Sequence, residues 1–279
     1  MNFPIPFTKL SGSGNDFIVI DHRTPILARA ELASFARAVC RRKFSVGADG
    51  LILIEKSDEA DFAWTFMNGD GSIAEMCGNG ARCAARFAYM NRIAPAAMRF
   101  KTLAGIISAE IVGDNVKIKM TAPHSLELSK TLTVGGRTME VHSLNTGVPH
   151  AVVFVDDASS VPVGEWGREI RRHPHFQPAG TNANFVQLLG PYALHVRTYE
   201  RGVEDETMAC GTGAVASAMV AALAGKVKPP VKITTSGGDQ LIIHFPEPES
   251  GQPPAEVFLE GAAKIIYDGH LREEAVIGQ

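Results

Sequence analysis

Two short segments of this chain repeat each other. Met76-Cys77-Gly78-Asn79-Gly80-Ala81 and Ala209-Cys210-Gly211-Thr212-Gly213-Ala214 share the pattern x-Cys-Gly-x-Gly-Ala. Each follows an acidic stretch, each opens a predicted helix, and they lie almost half a chain apart. This predicts a duplicated domain with one thiol per copy. A chain of 279 residues is long enough for two domains of ordinary size.

The chemistry of one copy follows from helix geometry. A cysteine just before a helix meets the positive end of the helix dipole and several backbone N–H groups without intrahelical partners. That setting favours thiolate over thiol. Glycines on either side let a ligand approach the backbone, and the same N–H groups can hold a carboxylate. Two such copies facing each other would place an acid or base on each side of a carbon that bears a hydrogen. One thiolate removes the proton from one face, and a thiol returns one from the other. The amides hold the adjacent carboxylate and stabilise the charge that develops there.

Composition removes several other classes. At 45% hydrophobic and 20% charged, the chain can bury a core and is not intrinsically disordered. Its net charge of −3, from 27 basic and 30 acidic residues, leaves no electrostatic footprint for nucleic acid. Four cysteines are too few for a disulfide scaffold and suggest a reducing compartment, or thiols kept for chemistry. The N-terminus lacks a basic region followed by an apolar run, so it does not read as a secretory signal. The longest small-apolar stretch, Gly213 to Ala224, is too short to span a bilayer. The expectation is a soluble, cytoplasmic protein with no membrane partner.

Periodicity predicts the elements. Leu32, Phe35, Ala36, Val39 and Cys40 form one apolar stripe on a helix over Ala30 to Arg42. Further helices are expected at Gly80 to Asn91 and Gly213 to Ala224. Strands are expected at Phe17 to Ile20, Leu51 to Ile54, Asp61 to Met67 and Asn115 to Met120. The second half offers Val152 to Val155, Phe185 to Leu189 and the alternation around Leu194, Val196 and Thr198. A hairpin is expected from Lys232–Thr235 and Gln240–Phe245, then strands at Val257 to Glu260 and Lys264 to Tyr267. Strands in runs with few helices between them argue for α+β rather than a doubly wound sheet. The boundary is placed near Pro123. This gives an N-terminal half, 1–123, joined by a final strand, 267–279, and a C-terminal half, 124–266.

Other motifs carry less. Cys40 and Cys83 read as small core residues. Gly211-Thr-Gly213-Ala-Val-Ala216 fits a loose dinucleotide pattern. However, Glu204-Asp205-Glu206-Thr207 before it reads as an acidic non-strand that would repel a pyrophosphate. His173-Pro174-His175 reads as a solvated loop, since no partner motif for a metal accompanies it. Taken alone, His150 in Thr146-Gly-Val-Pro-His150 reads as structural, and Glu200-Arg201 as a surface ion pair.

Taken together, the motifs resemble the diaminopimelate epimerases. The resemblance runs through Gly12-Ser-Gly-Asn-Asp-Phe17, Val46-Gly-Ala-Asp49, Asn68-Gly-Asp-Gly-Ser72 and Glu75-Met-Cys-Gly-Asn-Gly-Ala-Arg-Cys83. It continues through Gly147-Val-Pro-His150, Thr181-Asn-Ala-Asn-Phe185, Tyr199-Glu-Arg-Gly202 and Ala209-Cys-Gly-Thr-Gly213. It implies interconversion of LL- and meso-diaminopimelate, in lysine and peptidoglycan-precursor synthesis. It implies two pseudo-symmetric α+β domains, each a mostly antiparallel sheet wrapped around a central helix, with the active site in the interdomain cleft. It also implies no pyridoxal phosphate or other cofactor, no metal, and a homodimer. By motif, Cys77 and Cys210 would be the acid–base pair, with Cys210 accepting the proton of the LL isomer. The amides of Gly78-Asn79 and Gly211-Thr212 would hold the carboxylate at the reacting centre. Asn15, Asn68, Asn182 and Arg201 would read the distal amino-acid end, and His150 and Glu200 would tune the thiols. A distal carboxylate and ammonium need both donors and acceptors, which asparagines and an arginine supply. Two positions depart from the pattern. Many members have Asn where this chain has Val148, and Gln where it has Gly50.

Three other readings stay open at this level. A proline or hydroxyproline racemase would use paired cysteines but has no use for a charged distal site. A thiol redox protein would join Cys77 and Cys210, and a non-catalytic binding module would need neither thiol.

Overall fold

In the computed structural model, which describes residues 1–249 and 251–277, the apolar stripe of Leu32, Phe35, Ala36, Val39 and Cys40 lies on a helix with all five side chains buried. This helix belongs to a unit made of Met1–Ile118 and the C-terminal segment from Gly261; Lys119–Glu260 form a second unit. The elements of the first are β1 (Ile5–Gly12), β2 (Asn15–Asp21), α1 (Leu32–Cys40), β3 (Gly50–Glu55), β4 (Phe62–Asn68), α2 (Gly78–Met90), β5 (Ala97–Thr102), β6 (Gly105–Val112) and β7 (Asn115–Lys119). The second holds β8 (His124–Val134), β9 (Arg137–Asn145), β10 (Pro149–Phe154), α3 (Val163–Arg172), β11 (Asn182–Gly190), β12 (Ala193–Glu200), β13 (Asp205–Thr207), α4 (Gly211–Leu223), β14 (Val231–Thr235) and β15 (Gln240–His244). After β16 (Phe258–Ala262), the final strand β17 (Lys264–Leu271) pairs antiparallel with β1. Gly278 and Gln279, part of the expected final strand, lie outside the described residues.

The duplication is visible in the pairing. In the first unit β2–β3 is parallel, β3–β4 antiparallel, β4–β5 parallel and β5–β6 antiparallel. In the second, β10–β11, β11–β12, β12–β14 and β14–β15 follow the same order of senses. Parallel neighbours need a crossover, and α1, α2, α3 and α4 supply one each. The remaining described pairings within the units are antiparallel, so the class is α+β with two repeated domains.

Each unit is built around one of the two Cys-led helices. α4, Gly-Thr-Gly-Ala-Val-Ala-Ser-Ala-Met-Val-Ala-Ala-Leu, is apolar on all sides and buried from Gly213 to Ala221. A helix without a polar face belongs inside a fold, and it packs against β9, β10, β11, β12, β14 and β15. Burying Val215, Met219 and Val220 contributes roughly 1.5–3 kcal/mol each. α2 packs against β1, β2, β3 and β6 through small residues, with Ala81, Ala84, Ala85 and Ala88 all buried.

Several expectations need correction. Asp205–Thr207 is a short strand, not an irregular acidic segment: it pairs antiparallel with β12, and Glu206 is neutralised there by Arg197 at 2.7 Å. The segment at His173–Phe176 is not a free loop. Pro174–Phe176 is a 3-10 turn capped by His173, and His175 Nε2 lies 2.9 Å from Glu127. Between β1 and β2 only Ser13 and Gly14 turn. β1, β5, β6, β8, β9 and α3 were not expected. No helix among the described residues is long and apolar enough to cross a membrane.

Candidate active site

In each unit the candidate residues gather at one end of the sheet, beside the start of the central helix. In the first, Asn15 begins β2, Asn68 ends β4 and Cys77 immediately precedes α2. In the second, His150 lies at the start of β10 and pairs with Asn182 at the start of β11, while Glu200 ends β12 and Cys210 precedes α4.

The two cysteines are N-caps. Both have extended backbones, φ −146° and ψ 118° at Cys77, φ −120° and ψ 109° at Cys210. Each sulfur accepts from the N–H three residues on: Gly80 to Cys77 Sγ at 3.5 Å, Gly213 to Cys210 Sγ at 3.4 Å. The cysteine thus stands where Ser or Asp usually caps a helix. Helix geometry directs the first-turn N–H groups, including those of Gly78-Asn79 and Gly211-Thr212, out of the helix end. Both cysteines are partly exposed, whereas Cys40 and Cys83 are buried, as expected of core residues. Burial pushes the Cys40 and Cys83 thiols up to about 12.

Around Cys77, a chain of side chains fixes Asn15. Arg82, fully buried on α2, donates to Ser13 Oγ at 2.8 Å and to Asn79 Oδ1 at 2.9 Å. Asn79 Nδ2 donates to Asn15 Oδ1 at 2.7 Å, and Asn15 Nδ2 donates to Asp49 Oδ2 at 2.9 Å. A guanidinium only donates and a carboxylate only accepts, so both ends of the chain enforce the same amide orientations. Asp49 and Asp16 share Arg42, and Lys9 lies 2.8 Å from Asp16. Burial pulls Asp16 up, but Arg42 and Lys9 outweigh it and hold the carboxyl at about 2. Asn68 Nδ2 donates to Ser72 Oγ at 3.0 Å.

Around Cys210, the side chains of Thr212 and Glu200 bear on the sulfur. Thr212 Oγ1 lies 3.5 Å from the sulfur, and His150 Nε2 lies 2.9 Å from Thr212 Oγ1. Burial, then the Glu200 carboxylate, push the Cys210 thiol up to about 12; the Thr212 hydroxyl and the N–H groups of Gly213 and Thr212 act against them. Burial also raises Glu200, with the Thr207 hydroxyl offsetting part. Glu200 is therefore not half of a simple ion pair with Arg201. The Arg201 guanidinium donates to Ala179 O at 2.8 Å, and its backbone N–H donates to buried Asn182 Oδ1 at 2.7 Å. Asn182 thereby shapes the turn that carries Arg201. Among the described residues, no cluster of three or more His, Cys, Asp or Glu could hold a metal ion.

A family model of diaminopimelate epimerase matches residues 7–126 and 142–265, so it covers both units. The chain belongs to the diaminopimelate epimerase family. It is 50% identical, over 97% of its length and 99% of the relative's, to a diaminopimelate epimerase of Aquifex aeolicus. Among solved structures, a phenazine biosynthesis protein of the PhzF family from Bacillus anthracis matches with a TM-score of 0.72 at 14% identity, covering 97% of this chain and 100% of that one. A probable proline racemase from Agrobacterium radiobacter K84 matches at 0.68 and 14% identity, covering 96% and 93%. At such identities these two share the fold alone.

Gly50 is held to glycine by packing. A Cβ there would meet Phe66 Cε2 at 2.6 Å and Met67 O at 2.8 Å. The Phe66 ring, 5% exposed, occupies the space a longer residue would need. Nothing in the structure explains Val148. Two residues beside the site escaped the sequence reading. Arg82 sits inside the first Cys block and Asn184 two residues after Asn182. The signal was present: in a strand, i and i+2 share a face, and two asparagines on one face of an otherwise apolar strand mark a polar site.

His150 has a testable consequence. Burial, with Arg201 adding to it, pushes its pKa down to about 3. The folded state therefore refuses a proton that the unfolded chain takes up near pH ~6.5. Stability from this group is full above that pH and falls as pH drops toward 3. The slope is ~1.4 kcal/mol per pH unit for one proton. Urea unfolding of the parent and His150→Asn between pH 7 and 4.5 should differ in slope by about one proton; parallel slopes would contradict the buried neutral imidazole.

Proposed function

We propose that this protein interconverts LL- and meso-diaminopimelate with its two capping cysteines as the acid–base pair. The observation that carries the reading is the repeated cup: in each unit, a partly exposed cysteine caps a buried helix whose first amides point outward. Cys210 as thiolate takes the α-proton of the LL isomer. The electron pair left on carbon spreads into the α-carboxylate, which the amides of Gly78-Asn79 and Gly211-Thr212 hold. The Cys77 thiol then gives its proton to the opposite face. The reverse reaction exchanges the roles. Each turnover leaves Cys210 as thiol and Cys77 as thiolate, and proton exchange with water restores the starting pair, so the proton returned to carbon comes from solvent. Asn15, Asn68, Asn182 and Arg201 hold the distal amino acid. His150 and Glu200 act on the thiols through Thr212 and through charge.

The reaction needs no pyridoxal phosphate in this scheme, since the amides take the place of an electron sink. Exposed Ile265, Ile266 and Tyr267 on β17 support a homodimer, which light scattering would test. Four free cysteines suit a reducing compartment and so a cytoplasmic location. A proline-type racemase is disfavoured by the preset distal set, because a shorter amino acid would leave those polar groups unpaired.

The test is purified protein with LL-diaminopimelate in D2O, under reductant and without added cofactor. NMR and chiral chromatography should find meso product with deuterium at one α-carbon. Folded, reduced protein that gives neither exchange nor product, but racemises proline, would overturn the substrate; inactivity on both would overturn the mechanism.

A further inference from the structure

Asn184 belongs to no part of the scheme above, yet it is fully buried beside it. It lies on β11, opposite Thr198 of β12 and beside Val152 of β10. Its amide makes three contacts. Thr198 Oγ1 donates to Asn184 Oδ1 at 2.9 Å. Asn184 Nδ2 donates to Ala151 O at 2.8 Å. The same Nδ2 lies 3.2 Å from His150 Nδ1.

These contacts leave no freedom. A backbone carbonyl cannot donate, so the amide group facing Ala151 is the NH2. That NH2 also faces His150 Nδ1, which must therefore accept. A neutral imidazole with an accepting Nδ1 carries its proton on Nε2. Nε2–H then donates to Thr212 Oγ1 at 2.9 Å. With that hydrogen bond accepted, the Thr212 hydroxyl proton turns to its other neighbour, Cys210 Sγ at 3.5 Å. The Gly213 N–H reaches the same sulfur. Asn184 also explains the last glycine of the cup: a Cβ on Gly213 would meet Asn184 Oδ1 at 2.3 Å.

We propose that Asn184 is a positioning residue for Cys210: its amide selects the Nε2–H tautomer of His150, which aims the Thr212 hydroxyl at the sulfur and so favours the thiolate that accepts the substrate proton. The inference rests on the reading of Cys210 as an acid–base group. The charged groups bearing on the pair are Glu200, acting on Cys210, and Arg201, acting on His150. A hydrogen bond to the charged form of a group favours that form. Asn184 touches no substrate and acts only through two intermediates.

The first test needs no variant. 15N NMR of histidine-labelled parent protein should show His150 neutral and protonated on Nε2; protonation on Nδ1 would overturn the proposal. The second follows alkylation of Cys210 by iodoacetamide against pH, read by mass spectrometry. The midpoint should rise by ~0.5–1 unit in Asn184→Leu and Thr212→Val. It should stay in place in Thr212→Ser, which keeps the hydroxyl. A midpoint unchanged in Thr212→Val would overturn the proposal even if Asn184→Leu does not fold. In turnover, kcat for the LL isomer should fall ~10-fold with KM little changed, since a general base contributes ~100-fold or more. NMR and alkylation use no substrate, so they read the relay even if parent protein fails to epimerise diaminopimelate. Normal turnover with an unmoved midpoint would sink the relay alone.

Discussion

Cys77→Ala and Cys210→Ala should each lower epimerisation by at least ~100-fold in both directions, because proton transfer by a positioned group contributes ~100- to 10,000-fold. The loss is not shared between the two thiols. Inversion requires a proton to leave one face and another to arrive on the opposite one, so neither cysteine can act for its partner. Folding should survive, since both residues sit at helix ends, where each sulfur accepts one N–H bond and Cys210 also meets the Thr212 hydroxyl. Circular dichroism would confirm this, and chiral chromatography would give the rate. Either single variant within tenfold of the parent would end the two-base scheme. Substitution by Ala at Cys83, buried in α2 and outside the proposed chemistry, should alter stability more than the catalytic step.

Gly167→Ala should destabilise the second unit by ~3 kcal/mol, an overpacking effect at the upper end of the usual range. Gly167 lies on the buried face of α3, between Val163 and Ile170. A Cβ there would fall 2.3 Å from Tyr199 Cβ and 2.6 Å from Tyr199 Cγ. Those atoms are the root of a fully buried side chain and cannot swing aside. The gain in helix propensity, ~1 kcal/mol, is smaller than the clash. Gly164, on the same helix, has open space around its missing Cβ, so Gly164→Ala should be neutral or slightly stabilising. Thermal unfolding of the two variants makes a paired test. Gly167→Ala melting together with Gly164→Ala would show that α3 can lift from β12 at no cost. Because Tyr199 precedes Glu200 on β12, the clash should also lower activity in the fraction that folds.

Much of the candidate site was legible because its signals are local. A cap depends on one residue and the few that follow, so both Cys cups, and the start of a helix at each, could be read from six letters. The apolar stripe of α1 and the alternation of Phe62, Trp64 and Phe66 were legible for the same reason. Elements whose apolar face is thin were not. α3 buries only Val163, Gly167 and Ile170, and its central contact is a glycine, which reads as a breaker. β8 is mostly exposed and buries only Leu132 and Val134, so its partner β9 defines it. β13 is acidic, and its place beside β12 is supported by the ion pair of Arg197 with Glu206. Asn184 could be found in the pattern, but its partners His150, Ala151 and Thr198 come from two other strands, and only the register joins them. A pair of side chains from distant segments is invisible to any rule that reads neighbours.

The third letter after each cup's opening residue differs between the two copies. At Asn79 the side chain turns away into the Arg82–Asn15 chain; at Thr212 it turns back toward its own sulfur. In an ancestral pair of identical half-length subunits, any mutation would have altered both cups at once. Once the two copies share one reading frame, each can mutate alone. Two copies in one chain can thus carry unlike third letters on one shared order of strand senses.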